Sequence, residues 1–148
     1  MQANTSTQES RQRWMAVLAR SSAQELARAW ADLPARPAYR CVRPAETGLV
    51  MARGRIGGTG AAFNVGEMTV TRCVVALEEG GAWGFAYVAG RDADHAELAA
   101  AFDALLQRGD APSAAAIDKL ADSCERRRRV AAAEAAETRV EFFTMVRE

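Results

Sequence analysis

Three arginines surround a glycine-rich loop in this chain. Arg53-Gly54-Arg55-Ile56-Gly57-Gly58-Thr59-Gly60 is followed by Asn64-Val65-Gly66-Glu67 and by Thr69-Val70-Thr71-Arg72. Glycine permits positive φ and close approach of a ligand or a second backbone. Arginine supplies a planar fork that fits phosphate or carboxylate. Two kinds of chemistry follow: holding an anionic group, or docking a partner chain. Spacing alone leaves both open, alongside a tight turn with solvated arginines. The loop lacks the GK[ST] ending that places lysine on phosphates, and no helical pattern follows directly, as a dinucleotide fingerprint would require.

A second cluster is Arg91-Asp92-Ala93-Asp94-His95, where a strand meets a helix. Helix N-termini bind anions, and Arg91 could assist. The local carboxylates oppose phosphate, however, so a capping Asp92 and a half-buried His95 are the favoured reading. Glu46, Glu67 and Asp103 are the carboxylates to consider for acid–base work. Nothing in their spacing brings two of them together, and Glu67 is assigned as a partner of Arg72 or of a strand neighbour. No serine or cysteine has a paired base, so nucleophilic catalysis has no support. Arg126-Arg127-Arg128-Arg129 lies in a helical segment with Asp122, Glu125, Glu134 and Glu137 nearby, and reads as a solvated or partner-facing helix rather than a nucleic-acid surface. Cys41, Cys73 and Cys124 are far apart, with His95 the one histidine. Buried reduced thiols are expected, and no metal site or bound cofactor.

These residues need elements to position them. Arg11 to Arg20 reads as a helix with Trp14, Val17 and Leu18 on one face. Ser22-Ala23-Gln24-Glu25 fits a capping box opening a second helix, with Leu26, Ala29, Trp30 and Leu33 in a helical stripe that Pro34 and Pro37 stop. The period then changes. Tyr39 to Arg43, Leu49 to Ile56 and Met68 to Leu77 look extended. Glu78-Glu79-Gly80-Gly81-Ala82 reads as a hairpin turn, and Trp83 to Ala89 as the returning strand, with Trp83, Phe85 and Tyr87 on one face and Ala86 and Val88 on the other. Asp92 caps a helix with His95, Leu98, Phe102, Leu105 and Leu106 as its stripe, and Gly109 marks its end. A last helix is expected from near Ser113 to about Ala136, with Ile117, Leu120 and Cys124 on its apolar face. Helices, then strands, then helices predict an α+β fold with a largely antiparallel sheet, because the connections are too short for helical crossovers.

The 148 residues suit one domain, with residues 1–10 disordered and residues 138–148 a docking tail. In that tail, Phe142, Phe143 and Met145 are apolar residues that must be buried somewhere, either in the chain's own core or in another subunit. The same apolar end offers a route to self-association of the isolated chain by exchange of the terminal segment. The formal net charge is zero, so no global field steers the chain to nucleic acid or to an anionic membrane. No run approaches the ~18 apolar residues of a membrane span, and the polar start lacks a signal-peptide core. The cytoplasm is the expected location.

Several stretches together resemble one family. They are Arg11-Gln12-Arg13-Trp14-Met15, Pro44-Ala45-Glu46-Thr47-Gly48-Leu49-Val50, the arginine–glycine stretch, Val88-Ala89-Gly90-Arg91-Asp92-Ala93-Asp94-His95-Ala96, Asp103-Ala104-Leu105 and Val140-Glu141-Phe142-Phe143-Thr144-Met145-Val146-Arg147. Their order and spacing are similar to the G subunit of the bacterial carbon–phosphorus lyase system, over nearly the whole chain. One departure is Glu148, where the family pattern has glycine.

The resemblance implies a place in the first step of phosphonate breakdown, beside subunits H and I and an ATP-binding-cassette-like L subunit. MgATP and an alkylphosphonate react, a phosphonate oxygen displaces adenine at the ribose C1′, and a ribose 1-alkylphosphonate 5-triphosphate results. A radical enzyme, subunit J, acts later and shares a core complex with G, H and I. That reaction needs protonation of the base, stabilisation of an oxocarbenium-like sugar and cationic clamps on the triphosphate. The chain offers arginines and loop amides but no evident general acid. A structural or auxiliary subunit is therefore expected, with the catalytic groups mainly on I. Direct phosphate or nucleotide binding through Arg53, Arg55, Arg72 and the glycine loop is the alternative. A stand-alone small α+β binding protein is the second.

Overall fold

The computed structural model describes residues 2–55 and 60–138. Two helices come first, α1 (Gln2–Arg20) and α2 (Ala23–Ala31), then three strands, β1 (Tyr39–Gly54), β2 (Phe63–Leu77) and β3 (Trp83–Ala89), then two helices, α3 (Ala93–Gln107) and α4 (Ala111–Glu137). The sheet is antiparallel throughout, in the order β1-β2-β3. This is the α+β arrangement that the alternation of periods predicts.

α1 begins at Gln2, well before the Arg11 start and through the segment expected to be frayed. No proline or glycine interrupts residues 2–10, so nothing there stops the helix propagating backwards from its packed turns. α2 carries the full capping box: Glu25 N–H donates to Ser22 Oγ, and Ser22 N–H donates to Glu25 Oε2. α3 is capped by Asp92, and α4 by Asp110 with Pro112 in its first turn. α4 thus opens two residues before Ser113.

Tyr39–Arg43 and Leu49–Ile56 read as separate extended runs, but β1 is one long strand from the first run to Gly54 of the second, and Ile56 lies outside the described residues. Register shifts near Val42 and around Pro44-Ala45 absorb the irregularity. A proline is tolerated there because β1 is an edge strand and its missing N–H breaks no ladder bond. β2 also starts earlier than Met68, at Phe63. The β2–β3 hairpin turns on Gly80 (φ 75°) and Gly81 (φ 59°), a left-handed pair that glycine adopts without steric cost. β3 alternates as expected: Gly84, Ala86 and Val88 are buried, while Trp83, Phe85 and Tyr87 face out.

The core lies between the sheet and the helices. Leu18, Leu26, Val75, Leu77, Val88 and Phe102 are its largest closed apolar side chains. Trp30 bridges it edge-on to Phe102 and Tyr39, with ring centroids 5.4 and 5.8 Å away. α3 is the helix that meets the sheet most closely, through Ala96, Ala99, Ala100 and Ala104. Its backbone comes so near β3 that a Cβ on Gly84 would sit 1.8 Å from the Ala100 carbonyl oxygen and 2.7 Å from Ala104 N. Both obstacles are helix backbone, which cannot step aside without moving the whole helix. Gly84→Ala is therefore expected to destabilise the protein by at least the roughly 1–3 kcal/mol of ordinary overpacking. Urea unfolding of the variant, compared with Gly48→Ala, where an added Cβ meets nothing within 4 Å, checks this; equal stability of Gly84→Ala and wild type would contradict the close approach.

Candidate functional site

The sheet has two regions. β3 pairs with β2 only from Val70 to Ala76. Beyond that, β1 and β2 continue alone as a two-stranded ribbon from the Leu49/Thr69 pair to the Gly54/Phe63 pair. Arg53 and Arg55 are exposed at the far end of this ribbon. Arg55 Nη1 donates to the Gly60 carbonyl at 3.3 Å across the loop. Gly57, Gly58 and Thr59 lie outside the described residues, as do Phe142, Phe143 and Met145.

Arg72 does not join this pair of arginines. It sits at the root of the ribbon, where it forms an ion pair with Glu46, its cross-strand neighbour, with Nε 2.6 Å from Oε1. Glu67 faces Met51 instead. Glu46 and Arg53 are seven residues apart on one strand, about 23 Å at ~3.3 Å per residue. Arg91 is exposed beyond the end of β3. The four arginines therefore form no single clamp. The tip of the ribbon carries Arg53 and Arg55, and neither has a carboxylate partner among the described residues.

The polar groups that do converge lie elsewhere, and they hold the fold. Asp103, in the middle of the alanine face of α3, is wholly buried. Its Oδ1 accepts from Arg11 Nε (3.2 Å) and Trp14 Nε1 (2.8 Å) of α1. Its Oδ2 accepts from Arg11 Nη2 (2.8 Å), the Phe85 backbone N–H (3.0 Å) and Gln107 Nε2 (3.0 Å). Gln107 also donates to the Trp83 carbonyl at 2.7 Å. Two side chains of α3 thus pair with outward backbone groups of the edge strand β3, as a fourth strand would. Five donors on two closed oxygens leave Asp103 no room for substrate, so its acid–base candidacy ends there. Sequence reasoning missed this node. The available signal was one acid inside Ala99-Ala100-Ala101-Phe102-Asp103-Ala104-Leu105-Leu106, an apolar run in which a carboxylate must be paired.

The other candidates are also accounted for. Asp92 accepts from His95 N–H, and His95 Nε2 lies 2.9 Å from the Leu18 carbonyl, to which it donates near the end of α1. His95 is thus buried more deeply than the half-burial expected. In the arginine run, Arg127 grips both oxygens of Glu25 (2.5 and 2.7 Å) and donates to the Arg20 carbonyl at 3.0 Å, joining α4 to α2 and to the end of α1. Arg129 pairs with Glu125 one turn away. Only one thiol is fully buried: Cys73 is closed, Cys124 intermediate, and Cys41 exposed because its strand is a sheet edge. Burial, reinforced by the Cys41 and Glu97 charges, pushes Cys73 up to about 11, and burial raises Cys41 as well. Neither is a ready thiolate at neutral pH. Among the described residues no group of three or more His, Cys, Asp or Glu is placed to hold a metal ion, and no helix is long and apolar enough to cross a membrane.

Two predictions follow from the polar nodes. Asp103→Ala strands the Arg11 guanidinium, the Trp14 indole N–H and the Phe85 N–H, and should cost about 3–5 kcal/mol, as removal of one partner of a buried pair does. In a thermal-unfolding double-mutant cycle, Asp103→Ala and Arg11→Ala should be strongly non-additive; simple additivity would separate the two residues. Glu25 is held at about 2, below the usual 4.5, by the hydrogen bond from Ser123, with Ser22 and Arg127 adding to it against the opposing effect of burial. Its folded pKa is depressed, so its stabilisation is complete above about 4.5 and is lost as pH falls towards 2. Glu25→Gln should therefore lower stability at neutral pH and flatten the acid limb in that window, read from urea midpoints against pH.

Comparison with known proteins matches this sequence to a family. Residues 9–148 match the family described as "Phosphonate metabolism protein PhnG". The chain is 45% identical over 139 residues to the alpha-D-ribose 1-methylphosphonate 5-triphosphate synthase subunit PhnG of Rhizobium meliloti (strain 1021), covering 93% of this chain and 88% of the relative. A single match spans the helical half, the sheet and the ribbon alike, and on that extent the chain belongs to the phosphonate metabolism protein PhnG family.

Proposed function

We propose that this chain is a subunit of an alpha-D-ribose 1-methylphosphonate 5-triphosphate synthase, in a structural or auxiliary role. The name and extent of the Rhizobium meliloti relative support the assembly. The observation that carries the auxiliary role is where the converging polar side chains, buried or half-buried, are engaged. Asp103, His95, Glu25 and Arg127 all face other elements of this chain and hold them together. The reaction needs a proton for the departing adenine and cationic clamps on a triphosphate. In this reading those groups stand mainly on another subunit, I, with H, J and L as the further partners. MgATP is a substrate of the whole assembly, and this chain holds no cofactor of its own.

The test is adenine release from ATP and methylphosphonate by the other purified subunits, with and without this chain. Release is expected only when the chain is added back. Full release in its absence would remove it from the synthase step, and release by the chain alone would remove the auxiliary reading.

A second reading has one observation in its favour: Arg53 and Arg55 are exposed cations at the ribbon tip with no carboxylate partner among the described residues. They could touch a phosphate of ATP in a shared site. For an auxiliary subunit, Arg55→Ala in the assembled complex leaves ATP affinity and turnover unchanged. A tenfold or greater weakening of ATP binding would favour direct contact instead.

A further inference from the structure

The ribbon is built unlike the rest of the molecule. In the ribbon, every residue of β2 from Phe63 to Met68 is exposed, as are Leu49, Val50 and Met51 of β1. Its apolar side chains are large, from 36% exposed at Val50 to 64% at Leu49, with Met51, Phe63, Val65 and Met68 between. An isolated two-stranded ribbon is at best marginally stable in water, and such an apolar surface is atypical of a free monomer. Cross-strand pairing divides the side chains between two faces. Leu49 and Met51 lie on one, beside Thr69 and Glu67, while Val50 and Met68 pair on the other. The bulge at Val65, which leaves it without a cross-strand partner between Gly66 and Asn64, adds a further apolar side chain near the tip.

Both faces being apolar decides the shape of the complement. A flat surface, or a second copy stacked face to face, would cover one face and leave the other in water. A cleft covers both. The charge pattern decides its chemistry. The tip carries Arg53 and Arg55, and the Glu46 carboxylate at the root is already taken by Arg72. Glu67, opposite Met51, is the ribbon's own carboxylate among the described residues outward of Leu49 and cannot match both cations, so a further carboxylate must come from outside as they enter an apolar site. We propose that the β1–β2 ribbon is a docking arm that inserts into an apolar cleft, rimmed by carboxylates, on another subunit of the assembly. This rests on the subunit reading above.

The experiment uses the assembled complex. The tagged chain is co-expressed with the other subunits of the synthase and recovered, as wild type and as Leu49→Asp, Val65→Asp and the control Val130→Asp. Val130 is 58% exposed on α4, remote from the ribbon. Leu49→Asp and Val65→Asp should each reduce the other subunits retained by at least tenfold, and Val130→Asp should not. Because both ribbon residues are exposed, the melting temperature of the isolated chain should move by no more than about 2 °C. Arg53→Glu with Arg55→Glu should slow association, with a salt dependence opposite to that of wild type. Leu49→Asp and Val65→Asp holding the complex as well as wild type would overturn the docking arm alone. Sedimentation showing a wild-type dimer that Leu49→Asp dissociates would overturn it in favour of a second copy. Wild type retaining no other subunit would instead fail the synthase reading, and the arm with it.

Discussion

The Asp103 carboxylate is the constraint on which the rest of the structure depends. A charged group inside an alanine-lined helix is costly unless every lone pair is used. Here α1 supplies Arg11 and Trp14, β3 supplies its Phe85 N–H, and α3 itself supplies Gln107. The arrangement fixes three elements at once. α1 cannot slide along α3 without breaking three charge-assisted bonds. α3 cannot rise from the sheet without leaving the Phe85 N–H bare. Arg11 also lies 5.6 Å from the centroid of the Phe85 ring, so the same cation that pairs with the carboxylate covers the strand's outward side chain. Gly84 completes the geometry, since only a residue without Cβ lets α3 come close enough for its side chains to reach the edge of β3.

That capping makes the sheet asymmetric. An unprotected edge strand presents free N–H and C=O groups to any passing chain. At β3 the problem is met from within, by Asp103 and Gln107. At β1 the protein uses the bulges around Val42 and Pro44 near the body, and then lets β1 run on with β2 into the ribbon. The helical half is closed by the Arg11–Asp103 and Arg127–Glu25 ion pairs, an edge-on aromatic set and three capped helices, whereas the ribbon has backbone ladder bonds and little else. Stability is correspondingly uneven, with the ribbon at the low end of the local opening free energies and the α3–β3 contact at the high end. Elements used for recognition are commonly drawn from such low-stability regions.

Much of this was legible in the sequence, and the reasons it was or was not differ by element. The capping box at Ser22 and the alternation of Trp83 to Val88 are local patterns with local causes, so they could be read directly. β1 reads as two pieces because Pro44 and its neighbours are punctuation in one dimension. In the sheet they are only an irregularity at a tolerant edge. α1 looked shorter than it is because an amphipathic stripe marks where a helix packs, not where it begins. Arg72 was grouped with Arg53 and Arg55 because they are close in the loop sequence. A hairpin separates residues in proportion to their distance from its turn, and Arg72 falls at the root, opposite Glu46. In sequence, Asp103 stands in a family-like stretch and reads as an acid–base candidate. Its real partners are some ninety residues earlier in Arg11 and Trp14, and in the backbone of Phe85, which no side-chain pattern can announce.

The arginines show how the fold sorts one residue type into different work. Arg11, Arg72 and Arg127 each meet a carboxylate of the same chain, and in two of the three cases that contact ties distant elements together. Arg127 is the instructive one, since it stands in a run of four that composition alone presents as a basic patch. Its neighbours differ from it only in helical angle: at about 100° per residue, one position out of four can meet Glu25 and the end of α1 while the others face solvent. Arg53 and Arg55, at the ribbon tip, are among the exposed arginines that no carboxylate of the described residues engages. A charged group at the end of an apolar arm is useful only where the arm is buried, because in water its attraction to a carboxylate or phosphate is screened within about a Debye length. The apolar faces of the ribbon and the cations at its tip therefore belong to one design: burial of the first gives the second its strength, whether the group it meets is a carboxylate of the cleft or a phosphate held there.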